Sequence, residues 1–144
     1  MLYLGIELST FSVSIAALAD GFSFLGESSF RCDSRDQLES WIRSFLIDDS
    51  EPITCFFSVK DFQSHQSEAL KIIPSSFVSQ TWYLVNERVL LNIYHTLSDI
   101  FSVLNKCPFP KSYVLAASNR FFEKRFIKKI YSSEPPLYSS SNVW

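Results

Sequence analysis

Between Leu2 and Leu8 the chain alternates. Leu2, Leu4, Ile6 and Leu8 fall on one side, and Tyr3, Gly5 and Glu7 on the other. A period of two predicts a strand with one face in a core. Ser12–Ala19 repeats the pattern through Val13, Ile15 and Ala17 and predicts a second strand. Asp20-Gly21 then supplies a hairpin turn, since both positions tolerate φ > 0, and residues 22–31 supply a third strand. Three strands joined by short turns pair antiparallel, because a parallel pair needs a long crossover.

After residue 31 the period lengthens. Ser34-x-x-Gln37 resembles a capping box, and Leu38, Trp41, Ile42, Phe45 and Leu46 follow at helical spacing. The acidic turn before Pro52 ends that helix. Residues 53–59 form a compact apolar run, as in a strand covered on both faces. A short helix is predicted over 64–73, stopped by Pro74, and a strand over 81–85. Asn86 caps a long helix with Val89, Leu90, Ile93, Leu97, Ile100, Phe101 and Leu104 on one stripe. Cys107-Pro108-Phe109-Pro110 is a stiff connection; residues 112–117 read as a strand and 119–131 as a last helix. The order β-β-β-α-β-α-β-α, extended by a final strand and helix, predicts an α/β domain over 1–131. Its mixed sheet carries helices on both faces. Residues 132–144 read as a flexible Ser/Pro-rich tail.

Composition narrows the chemistry. The 144 residues suffice for one core. Only three are glycine, and none follows Gly26, which disfavours phosphate-cradling loops. The formal net charge of −2 gives no overall basic field for nucleic acid. Cys32, Cys55 and Cys107 are odd in number and lack a C-x-x-C pair, so they read as reduced thiols of a cytoplasmic protein. His65 and His95 have no nearby ligand partners, so no metal site is expected from them. No signal peptide and no membrane-spanning run is expected. Aromatic residues make up 16% of the chain. Phe56, Phe57, Phe62, Phe77, Trp82, Tyr83, Phe121 and Phe122 point to a ring-rich core, with some rings left for a partner surface.

Leu4-Gly5-Ile6-Glu7-Leu8-Ser9-Thr10 resembles the first-strand motif of the ribonuclease H-like superfamily, hydrophobic-Gly-Ile-Asp-x-(Gly/Ser)-Thr. That superfamily includes RuvC-type resolvases, RuvX/YqgF-type nucleases and the halves of actin-like kinases. Residues 82–88, WYLVNER, resemble a WDER-like strand end of the RuvX/YqgF type. The resemblance implies a ribonuclease H-like fold. In the nucleases it also implies a metal-binding carboxylate at position 7, with partner acids on later strands.

The chain departs from that pattern. Glu7 replaces the aspartate and reaches one methylene further. Residues 53–59 hold no acid; Asp61 lies two beyond. Asn86 stands at the WDER aspartate with Glu87 beside it, and the last predicted helix offers only Glu123. Two-metal chemistry needs carboxylates holding ions ~3.5–4 Å apart. The expected function is therefore a non-catalytic interaction or scaffold module with a protein partner or self-association, and without a cofactor. One alternative is a Mg²⁺-dependent nuclease using Glu7, Asp61 and Glu87. Another is a nucleotide-binding protein completed by dimerisation, with Ser9 and Thr10 at a phosphate. Arg120, Lys124, Arg125, Lys128 and Lys129 form a basic helical surface for nucleic acid or an acidic partner, or else a solvated helix face. Ser64, His65 and Asp61 lack the G-x-S-x-G setting of a nucleophile elbow.

Overall fold

A computed structural model describes residues 1–20, 23–48, 50–65, 79–101, 111–118 and 127–132. Strands β1 (Leu2–Leu8), β2 (Ser12–Ala19) and β3 (Ser23–Arg31) form the expected antiparallel meander. Helix α1 spans Arg35–Arg43 and β4 spans Ile53–Ser58. Then follow α2 (Val59–Ser64), β5 (Gln80–Val85), α3 (Glu87–Phe101), α4 (Lys111–Ala117) and β6 (Ile127–Ser132). All six strands join one mixed sheet in the order β3-β2-β1-β4-β5-β6. β1, β4 and β5 are parallel neighbours, while β6 returns antiparallel to β5. Among the described residues, no helix is long and apolar enough to cross a membrane.

Strand alternation divides the core in two. Leu4, Ile6, Ile15, Cys55 and Phe57 face α1, whose Leu38 and Ile42 are buried against them; Phe62 of α2 joins this side. Ala16, Leu18, Phe56 and Val85 face α3 and α4. Aromatic rings fill much of both layers. Phe57 meets Trp82 at 5.3 Å and Phe62 at 5.7 Å, and Phe56 stacks on Tyr83 at 5.6 Å. Of the expected ring set, Phe56, Phe57, Phe62 and Trp82 are buried, whereas Phe77, Phe121 and Phe122 lie outside the described residues.

Several expectations change. Residues 112–117 are a helix, not a strand. A short continuous apolar run has no period that separates the two. Here a tertiary contact decides. β1 offers a bare backbone at Gly5, where an added Cβ would collide with Ser112 O and Ala116 N and stand 2.9 Å from Leu115 Cβ. α4 therefore lies directly on the sheet, buried from Ser112 to Ala117. The final helix predicted over 119–131 is corrected over 127–131, while 119–126 lie outside the described residues. Residues 127–132 are strand β6, pairing Val85↔Ile127 through Thr81↔Ser132. The open edge of β5 satisfies backbone donors and acceptors that a helix would have satisfied internally. The sheet thus runs one residue past the predicted domain end, and the rest of the tail lies outside the described residues. Helix α2 at Val59–Ser64 was not predicted; the short helix predicted over 64–73 falls, from residue 66 onward, outside the described residues. Ser34 is the N-cap of α1, but its side chain makes no capping bond. Asn86 does cap α3, accepting from Arg88 N at 2.8 Å.

Gly5→Ala should destabilise the fold by about 3 kcal/mol or more, because the obstruction is helix backbone and not a movable side chain. Urea denaturation measures this; a loss under about 1 kcal/mol contradicts the packing. Cys55 is fully buried, and burial pushes its thiol far above the ordinary thiol range. In the folded protein Cys55 should react with a thiol reagent far more slowly than half-buried Cys32, as mass mapping of modified peptides would show.

Candidate functional site

Parallel strands end on the same side of a sheet, and the crevice beyond their carboxyl ends is where α/β folds place ligands. Glu7 is the penultimate residue of β1. Asp61 sits in the first turn of α2, directly after β4, and Glu87 opens α3 after β5. The fold therefore carries all three carboxylates to one end of the sheet.

Their environments differ. Ser58 is the N-cap of α2 and accepts from Asp61 N at 3.1 Å. Asp61 Oδ2 accepts from Leu8 N at 3.3 Å, and Oδ1 pairs with Lys111 Nζ at 3.1 Å. One largely buried carboxylate thus joins β1, α2 and α4. Such charge-assisted bonds are stronger than neutral ones. Glu87 Oε1 accepts from Lys60 N at 3.1 Å, so it caps α2 from the start of α3. Lys111 and Glu87 also share a shallow pocket of about 290 Å³ with Leu90, Leu91, Tyr94 and Val114.

Glu7 opens elsewhere. It pairs with Ser14 in the β1–β2 register and lines a pocket of about 230 Å³ with Ser14, Glu27, Ser28, Ser29 and Ser112. Ser14 and Ser29 share a hydroxyl hydrogen bond of 3.0 Å there. Asp61 and Glu87 are thus gathered around Lys111 and the start of α2, while Glu7 belongs to a serine-lined cup. Among the described residues, no three His, Cys, Asp or Glu side chains group closely enough to hold a metal ion.

Ser9 closes the β1–β2 turn. Its hydroxyl lies 2.8 Å from Ser12 Oγ and accepts from Ser12 N at 3.2 Å. Cys32 Sγ contacts the Ser9 and Thr10 carbonyl oxygens at 3.8 and 3.9 Å, so both residues are held through the backbone. Part of the expected basic helix is strand instead. Lys128 and Lys129 occupy successive positions of β6, opposite Leu84 and Tyr83. Arg120, Lys124 and Arg125 lie outside the described residues. Lys111 was not among the expected site residues. Nothing in its local sequence pairs it with Asp61, fifty positions away.

The chain matches no protein-family model and no curated protein.

A double-mutant cycle of Asp61→Ala and Lys111→Ala should yield a coupling of about 1 kcal/mol, since the pair is only partly exposed. Asp61→Ala alone should cost more, about 1–3 kcal/mol, because it also strips Leu8 N of its acceptor. Chemical denaturation of the four proteins measures both, and strict additivity would contradict the pairing.

Proposed function

We propose that the chain is a ribonuclease H-like or actin-like domain that works as a protein-interaction or scaffold module without catalysis of its own. Support for the scaffold comes from the Leu4–Thr10 motif on the first strand of an antiparallel meander to which β4 and β5 are added in parallel. The observation that carries the non-catalytic reading is the Lys111 ammonium on Asp61. A carboxylate that holds a catalytic divalent ion needs its oxygens free for that ion. Asp61 has a donor on each oxygen, and Glu87 directs one oxygen to the Lys60 amide. The donor set therefore suits hydrogen bonding within the protein better than metal ligation. A nucleotide-binding site is disfavoured because the Ser9 hydroxyl is engaged in its own turn.

The competing reading, a metal-dependent nuclease, draws on the common placement of Glu7, Asp61 and Glu87 at the carboxyl end of the parallel strands. Titration calorimetry with Mg²⁺ or Mn²⁺ and cleavage assays on linear and branched DNA and on RNA separate the two. The expected result is no saturable ion binding, no cleavage, and a melting temperature unmoved by Mg²⁺ with ATP. Metal-dependent cleavage that disappears in Glu7→Gln would overturn the proposal.

A further inference from the structure

The sheet has two edges, and their sequences differ. β6 places Lys128 and Lys129 at successive positions along one edge. Lysines on an edge discourage pairing with another chain. β3 forms the other edge and has neither lysine nor proline over its nine residues. Among the described residues, no strand pairs with its outer side. Its pairing with β2 is irregular only near Leu25, and residues 26–31 run in continuous register. We propose that two copies of this chain join edge to edge through β3, antiparallel about a two-fold axis at Ser29, so that one sheet runs through both.

Charge selects the register. Across such an axis, residues equally distant from the centre face each other on the same side of the sheet. With Ser29 at the centre, Glu27 of each copy stands opposite Arg31 of the other, and Ser28 stands opposite Phe30. The opposite-charge pair is formed twice. An axis at Glu27 would oppose two carboxylates, which is unfavourable. An axis at Ser28 would leave Glu27 opposite Ser29 and set Arg31 against the irregular Leu25. Glu27 and Arg31 are both exposed. Arg31 meets Asp33 at 3.3 Å, with both side chains mostly in solvent, so that contact yields readily to a better one. Beyond the paired segment, the Asp33–Ser34 turn of the second copy passes Leu25 and Phe24. These apolar residues are 37% and 52% exposed in the single chain. The inference names a surface and an occupant that the interaction-module reading leaves open. It does not depend on that reading, because a nuclease could pair in the same way.

Sedimentation velocity on the full chain across a wide concentration range tests the association. A reversible dimer is expected. Glu27→Arg alone and Arg31→Glu alone should each weaken it by about tenfold, since each sets like charges opposite one another twice. The double variant E27R/R31E should restore it. Circular dichroism checks that each variant keeps the fold. Ser29→Cys should give a covalent dimer on mild oxidation, above the background of the native cysteines. Ser28→Cys should not, because its Cα atoms are set too far apart. A monomer at every concentration overturns the self-pairing and leaves the interaction-module reading standing. A dimer indifferent to the charge changes and not cross-linked through Ser29→Cys overturns this surface.

Discussion

The absence of a side chain at Gly5 governs much of the molecule. Gly5 lies in β1, the strand that links the meander to the parallel half of the sheet. Because it presents only backbone, α4 lies on the strand at a distance no Cβ would permit. Close approach of this kind is what glycine supplies in a strand interior. Two further features depend on it. Lys111, at the start of α4, reaches Asp61, and Ser112 borders the cup that holds Glu7. Moving α4 outward would part both contacts together.

The acidic residues at the carboxyl end of the sheet follow from the cost of leaving charge without partners. A carboxylate removed from water is retained only where donors replace its hydration. Asp61, largely buried, has two such donors from different elements, whereas Glu87 is exposed and adds one bond to the Lys60 amide of α2. These bonds tie the ends of β1, β4 and β5 to the helices that follow. The same geometry that makes Asp61 a good junction makes it a poor ligand for a catalytic ion. Glu7, facing serines instead, is not drawn into that junction.

The meander, α1, β4, β5 and α3 were legible in the sequence because each has a sustained period or a clear cap. Leu2 to Leu8 alternate over seven positions, and Asn86 precedes a stripe running past Leu97. The two misassigned elements fall where local signals are ambiguous. Residues 113–117 are uniformly apolar, and the platform at Gly5 favours the helix. Residues 127–132 contain both a helical lysine spacing and strand-forming Ile127, Ile130 and Tyr131. The unpaired edge of β5 decides in favour of the strand. Of the site, the positions of Glu7, Asp61 and Glu87 at strand ends were foreseen. The salt bridge to Lys111 was not, because it joins elements that only the folded sheet brings together.

The place of α4 in the chain has a kinetic consequence. The meander consists of neighbouring segments, and pairings between neighbours close small loops and form quickly. α4 comes from late in the described sequence, yet it covers the centre of that meander. Until it arrives, Ala16, Leu18 and the bare stretch around Gly5 face water. During synthesis, which runs from the amino terminus, this half-covered sheet exists for as long as the ribosome takes to release residues 111–117. The same glycine that allows a close contact in the finished fold therefore leaves the growing chain with an uncovered sheet face until α4 emerges.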